Sequence, residues 1–110
     1  MIWAIIKTRT EGYHWWADAP KEVSFLRDKH RHIFFIELWI EQNHNERDVE
    51  YIIEKRKLDK FLSSHKIKSG DPMSCEALAT EIKAHWEYST SGRKIKVGVW
   101  EDNENGAFIE

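Results

Sequence analysis

The chain has a single cysteine, Cys75, in 110 residues. That excludes an internal disulfide and fits a reducing compartment. Proline is scarce at two residues and glycine at five, and no Pro/Gly/Ser-rich linker, repeat or low-complexity tract divides the chain. Long apolar runs are missing as well. Met1 to Ile6 meets charged residues within a few positions, too soon for a signal-sequence core or a membrane span. Nor is charge of one sign in excess: 17 Lys plus Arg face 19 Asp plus Glu, a net charge of -2, with the signs interspersed. Such a balance disfavours nucleic acid as a partner. The expectation is one cytoplasmic domain over residues 1–110, with no membrane and no nucleic-acid partner.

What the chain has in abundance is aromatic side chains. Six Trp, five Phe and three Tyr exceed the needs of one small core, so some are expected at a ligand site or a subunit interface.

The most β-prone segment runs from Lys29 to Ile40 and opens with His30-Arg31-His32. Side chains two apart on a strand share a face, so both imidazoles can address one ion beside the apolar row Phe34, Ile36, Leu38 and Ile40. Ile2 to His14 also alternates, and its even face ends at His14. Antiparallel pairing of the two strands lays the end of the first beside the start of the second, which brings His14 to His30 and His32. Three histidines leave the fourth position of a tetrahedral zinc open, as in working rather than purely structural sites.

Between these strands, Trp15 and Trp16 suit either loop packing or an aromatic wall beside the metal, and Asp18 and Pro20 lead into a short helical turn that Val23, Phe25 and Leu26 are expected to pin. Past the second strand, Glu41 to Asp48 reads as a polar turn holding a solvated His44, and Val49 to Ile53 as a short returning strand. Leu58, Phe61, Leu62 and His65 repeat at helical spacing over about Lys55 to Ser64. A second helix follows Pro72, with Ser74 as N-cap, Glu76 in its first turn, and Cys75, Leu78, Ala79, Ile82 and Trp86 as its buried stripe. Cys75 reads as a small buried hydrophobe rather than a nucleophile. Lys94 to Glu101 alternates as a strand ending in a carboxylate on its apolar face. Asp102 to Gly106 is a turn, with Asn105-Gly106 supplying positive backbone angles, and Ala107 to Ile109 closes the sheet. The order ββααββ, with two consecutive helices on one face of an antiparallel sheet, gives an α+β domain.

Four of these segments, in order, resemble the 6-pyruvoyltetrahydropterin synthase and 6-carboxytetrahydropterin synthase family, and the resemblance covers nearly the whole chain. They are Glu11-Gly12-Tyr13-His14, His30-Arg31-His32-Ile33-Phe34, Ser74-Cys75-Glu76-Ala77-Leu78-Ala79 and Val99-Trp100-Glu101. The resemblance implies the tunnelling (T-) fold, zinc on His14, His30 and His32, and Glu101 accepting two hydrogens from the edge of a pterin-like or purine-like ring. It makes Glu76 and Ser74 further pocket residues. It also implies a homo-oligomer, a trimer or hexamer with sites between subunits.

Two family features are absent. No cysteine stands between Trp15 and Lys29, where the family has its proton-transfer base, and no Leu-Asp-His segment follows the first helix. The expectation is therefore a short, divergent member that binds a pterin-like or purine-like, nucleotide-derived molecule without the synthase chemistry, as a compact viral protein sequestering a signal nucleotide would. The alternative is a zinc-dependent lyase or hydrolase in which His44, His65, Asp18 or Glu76 replaces the base. A third reading makes the histidines structural and the domain only a protein-interaction ring.

Overall fold

The computed structural model describes residues 1–110. Its frame is a pair of long strands, β1 (Ile2–His14) and β2 (His30–Gln42), antiparallel along their whole length from Ile2 opposite Gln42 to His14 opposite His30. Alternation makes them strands and fixes their register. Ala4 and Ile6 of β1 and Phe34, Ile36, Leu38 and Ile40 of β2 are buried on one face, and a slip of one residue would turn them all to the other. β3 (Ile95–Glu101) pairs with the far edge of β2, and β4 (Asn105–Ile109) pairs with β3, giving a four-stranded antiparallel sheet in the order β1-β2-β3-β4.

Two helices cover the apolar face. α1 (Tyr51–Ser63) lies over β1, and α2 (Cys75–Ser89) over β3 and β4. The buried stripe of α2 is Cys75, Leu78, Ala79, Ile82 and Trp86, and Ser74 caps it by accepting the Ala77 amide at 3.1 Å. Leu58 and Leu62 carry α1 into the same core. The domain is thus α+β in the order ββααββ, with 3-10 turns at Lys21–Arg27 and Lys66–Lys68. No helix is long and apolar enough to cross a membrane.

Three local expectations are corrected. Val49 to Ile53 is not a strand: β3 already occupies the only edge of β2 left by β1, and the Glu50 carboxylate accepts the Ile52 amide at 3.0 Å to start α1 at Tyr51. The positive backbone angles of the last hairpin fall on Asp102 (φ 53) and Asn103 (φ 59), while Asn105 and Gly106 belong to β4. Gly106 is required for a different reason, since a Cβ there would come within 2.1 Å of the Val99 carbonyl oxygen. Phe25 does not pin the first 3-10 turn, being 70% exposed. Buried Ala19 does so instead, its carbonyl accepting from Arg27 Nε at 2.9 Å.

The opposite face of the sheet has no helix on it and carries many of the surplus aromatics. Trp39 packs against Trp3 and Phe108, with ring centroids 6.2 and 5.4 Å away.

Candidate metal centre and ligand cavity

The register of β1 and β2 places His14 directly opposite His30, and His32 lies one step along the same face. The three imidazoles stand edge to face, with centroids 4.6 to 5.1 Å apart. One ring nitrogen from each lies within 4.8 Å of the others. Phe34, next on that face, closes the cluster from the core side, its ring 5.2 Å from His14 and 5.8 Å from His32.

Each ring is held by its Nδ1. His14 Nδ1 is 2.9 Å from the Met73 carbonyl oxygen, His30 Nδ1 is 2.8 Å from that of Asp28, and His32 Nδ1 is 2.7 Å from Asp102 Oδ2. These oxygens can only accept, so the proton of each neutral ring resides on Nδ1, and each Nε2 offers a lone pair. Nε2 of His32 is fully buried with no hydrogen-bond partner, and that of His14 faces a carboxylate. Glu101 adds a carboxylate to the same point, with Oε2 2.9 Å from His14 Nε2 and 3.5 Å from His32 Nε2.

Lone pairs and a carboxylate converging in this way call for a cation, either a proton on an imidazole or a metal ion. Burial pushes His14 below the ordinary imidazole range, and His30 and His32 push the same way, against the raising effects of the Met73 carbonyl and Glu101. The proton is thus the disfavoured solution at His14. Histidines whose outer nitrogens are anchored by carbonyls and a carboxylate are the usual inner arrangement of a metal centre, and the donors present fit a divalent ion that accepts imidazole.

Asp102 is the positioning group that the sequence reading missed. Its carboxyl is held below the usual range, first by the Ile33 amide and then by His32. Nothing in a Glu-Asp pair at a strand end announces this role. It follows from the pairing of Phe34 with Glu101, which sets Asp102 beside Ile33.

A cavity of about 480 Å³ opens beside the cluster. Its walls include His14, His30, Glu101, Trp15, Trp16, Ser74 and Glu76, so the residues singled out in the sequence meet there, apart from His32, which does not line it. Trp16 forms an exposed rim, and Trp15 is half-buried. The Ser74 hydroxyl is engaged in capping α2. Asn105 also lines the space, as does Cys75, whose thiol is pushed up to about 12 by burial and then by Glu101 and Glu76. Cys75 therefore stays protonated and is no ready nucleophile.

Of the four side chains that could replace the absent base, only Glu76 reaches this cavity. His65 has both nitrogens engaged, Nε2 with Glu81 at 2.7 Å and Nδ1 accepting the Ile67 amide at 3.0 Å, which makes it a cap of the second 3-10 turn. His44 is exposed in the turn after β2, where its Nδ1 accepts the Glu46 amide, and Asp18 is exposed beyond Trp16. No protein-family model matches the chain, and no curated protein matches it.

Proposed function

We propose that the chain is a zinc-binding protein of the tunnelling fold that binds a pterin-like or purine-like, nucleotide-derived small molecule beside its metal. The observation that carries this reading is the shared arrangement of His14, His30 and His32: three anchored Nδ1 atoms, ring nitrogens within 4.8 Å of one another, and an aromatic-rimmed cavity against them. The three imidazoles would hold zinc, which when bound supplies Lewis acidity to a ligand atom in the cavity. Glu101 has one oxygen toward the histidines and can offer the other to adjacent ring and amino hydrogens of a flat heterocycle. Trp15 and Trp16 supply flat walls for that ring.

Binding without synthase chemistry is favoured because His65, His44 and Asp18 lie outside the cavity and Cys75 is held as a thiol. Sequestration of a signal nucleotide in the cytoplasm of a host cell is the role such a binder would serve. The uncovered aromatic face and the two free sheet edges support assembly as a trimer or hexamer, with a neighbouring copy completing the site. Glu76 favours the second reading, a zinc-dependent lyase of the pterin or deazapurine kind, since it is the one candidate base within the cavity.

Native mass spectrometry of the untagged protein, followed by denaturation of the same sample, tests both readings. A ring with one zinc per chain and a released purine-like or pterin-like compound is the expected result. Turnover of a dihydroneopterin-triphosphate-like substrate, abolished by Glu76→Gln with zinc retained, would favour the lyase. Failure of every guanine-like and pterin-like compound to bind the zinc-loaded protein would sink the binding reading.

A further inference from the structure

The first residue of β4, Asn105, pairs with the last residue of β3, Glu101, across the turn Asp102 to Glu104. Residues directly opposite on antiparallel strands share a face, with Cβ atoms about 4.5–5.5 Å apart. Asn105 therefore stands beside Glu101 on the face that buries Val97 and Val99 under α2, and both residues line the cavity of about 480 Å³. Backbone pairing of a second copy along β4 would leave this side chain in place, because side chains stand perpendicular to the sheet.

The register also sets an order across the sheet. Glu101 is flanked by Phe34 of β2 on one side and by Asn105 of β4 on the other. The histidines lie on the β1 and β2 side, where Glu101 Oε2 is 2.9 Å from His14 Nε2. A flat ring bound at Glu101 thus has imidazoles along one flank and the Asn105 carboxamide along the other. The two flanks offer different chemistry. The Nδ1 protons of His14 and His30 are turned away onto the carbonyls of Met73 and Asp28, and the carboxylates of Glu101 and Glu76 only accept. Asn105 is the one carboxamide in the lining, and it is exposed. It brings N–H donors to a point beside the carboxylate.

We propose that Asn105 is a specificity residue that donates to a ring carbonyl next to the N–H held by Glu101. Resting on a heterocycle bound at Glu101, this assignment narrows the ligand class to rings whose edge reads amino, ring N–H, carbonyl, as in guanine and pterin. An adenine-type edge has a ring lone pair in place of the N–H, which would set acceptor against acceptor at Glu101, and it has no carbonyl for Asn105. A site built to hydrogen-bond a ligand group rejects the analogue that lacks it, because its own polar groups are then left unpaired.

The test is calorimetric titration of the zinc-loaded full chain with guanosine and with pterin, each beside its thiocarbonyl counterpart. In those counterparts sulfur replaces the carbonyl oxygen, while the ring N–H and the amino group remain. Sulfur is a weak acceptor, so whichever ring binds is expected to bind about tenfold tighter in its oxo form. In Asn105→Ala that preference should vanish, with one zinc per chain retained. Asn105→Asp keeps the shape but turns an acceptor toward the carbonyl, and it should weaken the oxo form about tenfold. Glu101→Gln should weaken both forms alike and leave their ratio in place. An oxo preference unchanged in Asn105→Ala would overturn the proposal while leaving ligand binding at Glu101 intact. Equal binding of the two forms by the native chain would do the same, and tighter binding of the thio form would place the carbonyl at the metal instead. Binding of neither ring in either form would overturn the ligand-binding reading itself, and the role of Asn105 with it.

Discussion

Asp102 holds His32 from behind. Its Oδ2 lies 2.7 Å from His32 Nδ1, while its Oδ1 accepts the Ile33 amide at 3.0 Å. The turn that closes the sheet thereby sets the direction of one imidazole in the cluster. In Asp102→Asn the positive φ of 53° remains accessible, because Asn tolerates the left-handed region, but the carboxylate is lost. Zinc affinity is expected to fall about 10- to 100-fold with the fold intact, measured by competition against a chromophoric chelator.

Substitution of Glu101 is expected to separate metal binding from ligand binding. Glu101→Gln keeps the side-chain shape but weakens acceptance from a ring edge, where hydrogen bonds to a charged group are the stronger kind. One zinc per chain should remain, and the affinity for guanine-like or pterin-like compounds should drop about 10- to 100-fold. Equal loss of zinc would instead make Glu101 a metal donor.

Gly12 links the fold to the site, because it sits two residues before His14 with Ile67 and Phe34 packed on its Cα. A methyl group there must displace the Ile67 side chain, at 2.9 Å, and the Phe34 ring, at 3.0 Å. Gly12→Ala is expected to cost about 1–3 kcal/mol in urea unfolding and to weaken metal binding by shifting the end of β1.

Away from the cluster of His14, His30 and His32, Asp48 has its carboxyl pulled down to about 2, first by Arg93, whose Nη1 lies 2.6 Å away, and then by the Asn43 amide. Its folded value lies below the usual 3.8, so the stability it contributes is fully present above that value and is lost as pH falls through about 2. The gap in unfolding midpoint between the native chain and Asp48→Asn should be constant from neutral pH down to about 5, then close between 3.8 and about 2. A gap that persists at the lowest pH would show that packing, not charge, carries it.

Much of this was legible because strands report their faces. The alternation from Ile2 to His14 and from His30 to Ile40 fixes the register, and register alone brings His14 to His30 and His32. Ser74 and the stripe from Cys75 to Trp86 mark α2 in the same way. Short apolar runs carry no such information. Val49 to Ile53 reads as a strand until the sheet is known to have no edge for it, and Asn105-Gly106 reads as a turn until Gly106 is seen against the Val99 carbonyl. Asp102, Asn105 and the carbonyls of Met73 and Asp28 were not legible as site residues, because their roles depend on tertiary approach rather than spacing.

The most direct test of the metal centre is X-ray absorption at the zinc edge on protein loaded with one equivalent of zinc. Three imidazole nitrogens at about 2.0–2.1 Å, one of them lost in His32→Ala, is the expected result. Sulfur at about 2.3 Å would place the metal on Cys75 instead. A spectrum of hydrated zinc, unchanged by His32→Ala, would show that the three histidines hold no metal.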